Sequence, residues 1–372
     1  MASVLSIAIA TLLVLAGGLP RTAHAFPEET LRSVVSVLPV WPGRAQGGRG
    51  GPPGVAPEGS GVVLYSGIIA TAWHVVEPAE RIDVRLSDGR VVPARLIAQD
   101  AASDIAVLGV DIALPAIPIA LPPRLTQPVC TIGNAYGLGL STTCGVVSAL
   151  NVSNAGFNPV EDFVQTDAAS NPGVSGGALV DSDGRLVGMM SAIFASGSDT
   201  NIGINFAVST DLLIRVVDAL ITDGDVRYPS PGWRLETPAR NQLATLAAPV
   251  VRTLSDTGAA AQAGIRPGDV VVEIGERVIR TPRDAIAALA ILPQEQDSID
   301  VTIQRDGQPQ TVSLVFGGEP VVDASSDEPE ILGDCPHPAA VCQIRQAVFP
   351  VSSFDPVGSA TRIGPNLLVT NR

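Results

Sequence analysis

Gln165-Thr-Asp-Ala-Ala-Ser170-Asn-Pro-Gly-Val-Ser175-Gly-Gly-Ala-Leu179 is the stretch around which the chain is organised. Ser175 has Gly173 two residues before it and Gly176 and Gly177 directly after it. A glycine-lined turn can aim several backbone N–H groups at one point, because glycine tolerates positive φ and close approach. Beside a serine, such amides could stabilise an oxyanion. Asn-Pro-Gly is also ordinary turn chemistry, so the motif alone is only moderately specific. It predicts a catalytic serine only if a base and an orienting acid lie elsewhere.

Composition narrows the search for them. The 372 residues allow two domains and part of a third. A hydrophobic content of 46% with 16% charged residues is that of a globular chain. A formal charge of −14, no basic run and 4% aromatics argue against nucleic acid as a partner. The short apolar run Val4–Ala16, followed by Ala23-His24-Ala25, reads as a secretory signal peptide over residues 1–25. It is short for a membrane span. A secreted or periplasmic location follows, and with it an oxidising compartment. The four cysteines fall into two local pairs, Cys130 with Cys144 and Cys335 with Cys342, and are disulfide candidates. Cys335-Pro-His337 also admits a metal-site reading, but it lacks a fourth ligand nearby. No metal and no cofactor are expected.

Short β-rich runs separated by turns occupy most of residues 30–208: Ser33–Val40, Gly61–Tyr65, Gly67–Ala72, Arg81–Leu86, Arg90–Ile97 and Asp104–Val110 come first. Pro128–Ile132, Gly139–Leu150, Gly177–Asp181, Leu186–Ala195 and Ile204–Val208 follow. Asp88-Gly89 marks a hairpin, and the Gly- and Pro-rich Gly43–Gly59 a long flexible loop. This spacing predicts an antiparallel barrel or sandwich, closed by a helix over Ser209–Ile221 with Ser209 or Thr210 as its cap.

Of the three histidines, His24 leaves with the signal peptide and His337 lies among prolines near the end. His74, at the end of the strand Ile68–Trp73, is the one eligible base. Asp104 stands where a polar turn meets the apolar Ile105–Leu108, which suits a buried orienting carboxylate. Asp100, Asp111 and Asp167 are its rivals. The order His74, Asp104, Ser175 is the chymotrypsin-type order.

Three segments carry a family resemblance: Thr71-Ala-Trp-His74-Val-Val, Asp100-Ala-Ala-Ser-Asp104-Ile-Ala-Val-Leu and the Ser175 stretch itself. Together they resemble the trypsin-like HtrA/DegP serine proteases over about residues 30–220, and Thr200–Val208 looks like the strand after that family's substrate-pocket loop. Two positions depart from the pattern. Val174 stands where the family usually carries Asn, and Trp73 where a small residue is common before the histidine.

The resemblance implies a mainly β fold with a chymotrypsin-like double antiparallel β-barrel. It also implies His74, Asp104 and Ser175 as the triad, and the backbone N–H groups of Gly173 and Ser175 as the oxyanion hole. The implied activity is serine endopeptidase, acting on unfolded or extended polypeptides of the cell envelope, and the resemblance implies a homo-trimer. A non-catalytic binding or chaperone-like module on the same fold is the alternative. Small and apolar residues over Met189–Ser198 predict cleavage after small or medium aliphatic side chains.

Beyond Pro229-Ser-Pro231 a second unit begins. Pro249–Leu254, Ser298–Gln304 and Gln310–Phe316 read as strands, and Thr281–Leu289 as a helix capped by Thr281 with Pro282 in its first turn. Ala263-Gly-Ile-Arg-Pro-Gly-Asp269-Val-Val resembles a PDZ domain, a fold that binds peptide C-termini by strand addition. Pro249, which has no N–H, sits in its expected carboxylate loop. The expected domains are thus a protease domain at 26–225, a PDZ-like α+β domain at 226–318 and an acidic linker at 319–342. From 343 to 372 a partial β segment repeats the start of the protease domain, since Gly358–Arg372 aligns without gaps with Gly59–Trp73. That segment is expected to begin a second trypsin-like domain.

Overall fold

The computed structural model describes residues 26–42, 58–195, 201–237 and 248–316, together with strands at 348–351, 358–364 and 367–370. The chain divides into one unit over Met1–Gly317 and another over Gly318–Arg372.

In the first unit a short helix, α1 (Glu28–Arg32), leads into β1 (Val34–Val40), followed by β2 (Gly59–Tyr65) and β3 (Ile68–Ala72). A single helical turn α2 (Trp73–Val76) precedes β4 (Arg81–Arg85), β5 (Val91–Asp100) and β6 (Ile105–Gly109). These strands close into an antiparallel barrel in the order β1-β2-β3-β6-β5-β4. β6 is buried along its whole length, which explains its unbroken apolar run. β2 starts two residues earlier than its side chains suggest. Gly59-Ser60-Gly61 pairs with Val37, Ser36 and Val35 of β1, and a Cβ at Gly61 would meet the Ile69 side chain at 2.6 Å.

A second barrel follows the same plan. It comprises β7 (Pro128–Gly133), β8 (Ser141–Val152), β9 (Phe163–Thr166), β10 (Ala178–Asp181), β11 (Leu186–Ala195) and β12 (Asn201–Ser209). Closure is in the order β10-β11-β12-β9-β8-β7. Of the two architectures open to the sequence, barrels rather than a sandwich are present. Cys130 and Cys144 face each other across β7 and β8 and are joined by a disulfide. Cys335 and Cys342 lie outside the described residues, as do the signal-peptide region and the loop at 43–57.

Helix α3 (Thr210–Thr222) begins where the Ser209 hydroxyl accepts the Leu212 N–H, a side-chain N-cap. Its face of Leu212, Leu213, Val216, Val217 and Leu220 is buried in one cluster with Ile105 and Val107 of the first barrel and Met189 and Val208 of the second. Burial of each such side chain contributes about 1.5–3 kcal/mol, so the helix helps hold the two barrels together. No helix among the described residues is long and apolar enough to cross a membrane.

The PDZ-like part is a separate antiparallel sheet. Its path runs β13 (Trp233–Glu236), β14 (Val250–Leu254), β15 (Val270–Ile274), β17 (Ser298–Arg305) and β18 (Gln308–Val315), with the two-residue β16 (Arg277–Val278) paired to β15. Two helices, α4 (Ala259–Gln262) and α5 (Pro282–Ala290), accompany it. At the start of α5, Thr281 and Asp284 form a reciprocal capping box with Pro282 in the first turn. This part grips the second barrel through the β8–β9 loop. Arg277 makes a two-pronged ion pair with Asp162, and Arg283 donates to the Asn158 carbonyl at 2.7 Å.

In the second unit β19 (Val348–Val351), β20 (Gly358–Gly364) and β21 (Leu367–Thr370) form an antiparallel three-stranded sheet. In the gap-free alignment read from sequence, β20 coincides with β2 and β21 begins where β3 begins.

Candidate active site

The two barrels meet at a cleft of about 510 Å³. The first barrel contributes Trp73, His74, Ala101 and Asp104. The second contributes Phe157–Pro159, Ser170–Pro172, Ser175, Met190 and Ser191. All three triad candidates therefore reach one cavity, although they lie 30 and 71 residues apart in sequence.

His74 does not end a strand, as its apolar neighbourhood suggests, but sits in α2 immediately after β3. The Trp73 N–H donates to the Asp104 carbonyl at 3.0 Å, which fixes that turn against the start of β6. Half of the His74 side chain is exposed to the cleft. Its Nδ1 lies 2.8 Å from Asp104 Oδ2 and 3.0 Å from Oδ1. An ionised carboxylate only accepts, so Nδ1 carries the proton and Nε2 keeps its lone pair.

Asp104 itself stands just before β6, at a φ of +60°, a left-handed conformation that Asp tolerates better than most residues. It is 6% exposed. Its carboxylate also accepts the His74 backbone N–H at 2.9 Å and the Ser191 hydroxyl at 2.9 Å, so the buried charge is fully partnered.

The rival acids are employed elsewhere. Asp100 accepts the Ser103 N–H and hydroxyl and, at 2.6 Å, the Tyr228 hydroxyl. In this way it shapes the turn that carries Asp104. Burial, with the Asp100 charge beside it, pushes the Tyr228 phenol well above its ordinary value, so Tyr228 remains a donor. Asp111 pairs with Arg95 at the surface, and Asp167 accepts the Val146 N–H.

Ser175 Oγ donates to the Ser191 carbonyl at 3.3 Å rather than bonding to the His74 ring. Catalytic contacts of this kind often tighten only around substrate.

The peptide groups around Ser175 are already oriented. The Pro172 carbonyl accepts the Tyr136 N–H at 2.7 Å, and the Val174 carbonyl accepts the Gly177 N–H at 2.8 Å. In a trans peptide the N–H points opposite to the C=O. The amides of Gly173 and Ser175 are thereby turned the other way, and neither donates a hydrogen bond among the described residues. Gly173 adopts a φ of +98°, and a Cβ there would lie 2.3 Å from the Asn134 carbonyl oxygen, so this position requires glycine. Val174, between the two amides, is buried in an apolar cluster with Val129, Val147, Leu179 and Met190, which accounts for a valine at this position. The Trp73 ring lines the cleft, with its indole N–H buried and without a hydrogen-bond partner among the described residues.

Sequence reasoning passed over Ser191 as the partner of Asp104, and the β8–β9 loop residues Phe157–Pro159 as a wall of the cleft. A serine inside a strand and a loop between two strands carry no periodicity that would mark them. Among the described residues, no three or more His, Cys, Asp or Glu side chains are placed to hold a metal.

Two closed six-stranded barrels with this cleft between them define a trypsin-like serine endopeptidase. The trypsin-like peptidase domain family matches residues 59–189, and the PDZ domain family matches 201–315, a span that begins within β12 of the second barrel. The chain is 36% identical to the serine endoprotease DegS of Escherichia coli over 284 residues, covering 71% of this chain and 78% of that protein. It is 37% identical to the serine protease PepD of Mycobacterium tuberculosis over 70% of this chain and 61% of that protein. A solved HtrA-type protease, AlgW with a tripeptide, superposes with a TM-score of 0.60 at 33% identity, covering 77% of this chain and 94% of that one. The chain belongs to the HtrA family of serine proteases.

Proposed function

We propose that the endopeptidase reaction is carried by His74, Asp104 and Ser175. The observation that supports this most is the His74–Asp104 pair, held at 2.8 Å in the same cleft as Ser175. His74 Nε2 takes the Ser175 hydroxyl proton as Oγ attacks the substrate carbonyl carbon. The carbonyl oxygen, now negative, is received by the N–H groups of Gly173 and Ser175, each worth about 3 kcal/mol to the transition state. The tetrahedral intermediate collapses as His74 gives that proton to the departing amine, leaving an acyl-Ser175 ester. Water, deprotonated by His74, then attacks the ester, and His74 returns that proton to Ser175 Oγ as the acid leaves. Throughout, Asp104 holds the tautomer and balances the imidazolium.

Substrates are extended or unfolded polypeptides, encountered in the periplasm or outside the cell. The apolar Val4–Ala16 run with Ala23-His24-Ala25 and the formed Cys130–Cys144 bridge support that location. A DegP-like relative from Halomonas elongata, 32% identical, carries a periplasmic designation in its name. The residue before the cut is a small or medium aliphatic one. Met190 lines the cleft, and among the described lining residues the one acid is Asp104, already engaged by His74 and Ser191. Among the described lining residues a lysine or arginine would find no free acid. A peptide library should therefore show cuts after Ala, Val or Leu, and a preference for Lys or Arg would overturn this specificity. The triad itself is tested with a fluorophosphonate probe, which should label Ser175 in the wild type without added peptide. A folded protein that stays unlabelled would refute the assignment.

A further inference from the structure

Ser60 lies on β2 of the first barrel, is fully buried, and touches both Gly173 and Ser175, whose amides are the proposed oxyanion donors. Its N–H donates to the Ser175 carbonyl at 2.8 Å. Its hydroxyl donates to the Gly173 carbonyl at 2.7 Å and accepts the Asn134 N–H at 2.8 Å. One side chain thus ties together the Gly173 peptide and the β7–β8 loop. That loop also supplies the Tyr136 N–H that turns the Pro172 carbonyl away from the cleft.

The loop is anchored in turn from the residue next to β2. Asn134 Nδ2 donates to Glu58 Oε2 at 2.6 Å, and its Oδ1 accepts the Gly139 N–H at 2.9 Å. Arg85 Nη1 reaches the same Glu58 oxygen at 3.4 Å. The chain Glu58–Asn134–Ser60–Gly173 therefore runs from the start of β2, through the β7–β8 loop, to the oxyanion turn.

We infer that the Ser60 hydroxyl is a positioning residue for the oxyanion amides, and that the first barrel uses it to set the geometry of a turn belonging to the second. The inference rests on the proposed roles of Gly173 and Ser175. It touches no substrate and moves no proton. Without the hydroxyl, the Gly173 carbonyl and the Asn134 N–H both lose a buried partner. The Gly173–Val174 peptide and the loop whose Tyr136 N–H holds the Pro172 carbonyl then lose an anchor, and the Pro172–Gly173 peptide is free to turn the Gly173 N–H off target. Such a loss acts where the oxyanion develops, so it lowers kcat and leaves ground-state binding alone.

The test compares wild type, Ser60→Ala, Ser60→Cys and Ser60→Thr on a fluorogenic peptide. It adds affinities for a peptide aldehyde, which forms an oxyanion with Ser175, and for the same peptide with a reduced scissile bond, which has no carbonyl oxygen there. Ser60→Ala should lose about tenfold or more in kcat, with KM within about twofold. The aldehyde should weaken by a similar factor and the reduced peptide should not. Ser60→Thr, which keeps the hydroxyl, should recover most of the rate. If Ser60→Ala does not fold, Ser60→Cys keeps the volume with a poor donor and should show the same split. An unchanged kcat, or a parallel loss of both ligands, overturns the inference. A wild type that binds no aldehyde and takes no fluorophosphonate overturns instead the assignment of Ser175 as nucleophile.

Discussion

The Asp104 carboxylate receives the His74 ring, the His74 backbone and the Ser191 hydroxyl. Replacing it by an amide tests whether those contacts serve the tautomer of His74. Asn tolerates the left-handed backbone found at this position, so Asp104→Asn should fold. Its NH2 group, however, favours the histidine tautomer with the proton on Nε2, which cannot accept from Ser175. The expected loss in kcat is about 10⁴-fold with little change in melting temperature, and peptide hydrolysis alongside a thermal melt measures both. Retention of the wild-type rate would separate Asp104 from the reaction. At this scale the sequence was informative where chemistry narrows the choice: one eligible histidine, one acid at a polar-to-apolar boundary, one serine in a Gly-x-Ser-Gly-Gly turn. Ser191 and Ser60 were illegible because their partners are 87 and 113 residues away, and a serine inside a strand looks like any other.

Among the elements, the PDZ-like sheet offers a pH-dependent contact. The Asp269 carboxylate, 2% exposed at the start of β15, meets the Arg305 guanidinium at the end of β17 through two bonds of 2.7 and 2.6 Å. Burial alone would raise its pKa. The Arg305 fork and the Arg266 N–H outweigh burial and hold the carboxyl below its ordinary value. The folded state therefore binds this proton less readily than the unfolded chain. The stabilisation is fully present above the unfolded value of about 3.9 and fades as pH falls through the folded one. Denaturation followed from pH 6 down to pH 2, estimates chosen to bracket that value, should show wild type losing stability faster than Arg305→Met. Parallel curves would show that the pair contributes nothing. The strands read at Ser298–Gln304 and Gln310–Phe316 are β17 and β18, and Asp306 and Gly307 between them both adopt the positive φ that a tight hairpin turn needs. Sequence reasoning did not locate β9, whose four residues are too few to alternate visibly, and it read the one-turn helix at His74 as a continuation of β3.

Across the molecule, the active site is a property of two barrels together. The proposed base and acid, His74 and Asp104, come from the first. The proposed nucleophile Ser175 and the proposed oxyanion amides come from the second, and β2 of the first reaches across to the Ser175 turn. Short strands at even spacing made an antiparallel barrel or sandwich legible. The count of two barrels followed only from the resemblance carried by the His74, Asp104 and Ser175 segments, and the PDZ-like sheet was legible in the Ala263–Val271 run. What the sequence could not supply is closure, since strand order within a barrel depends on pairings such as β1 with β4 that no local pattern encodes. The grip of Arg277 and Arg283 on the β8–β9 loop was hidden for the same reason. The account stands on Ser175 being the nucleophile of a working endopeptidase. The most direct measurement is digestion of an unfolded protein by the purified wild type and by Ser175→Ala, each shown to be folded. Wild type should degrade the substrate and Ser175→Ala should be slower by about 10⁴-fold or more. Equal rates for the two proteins would contradict it.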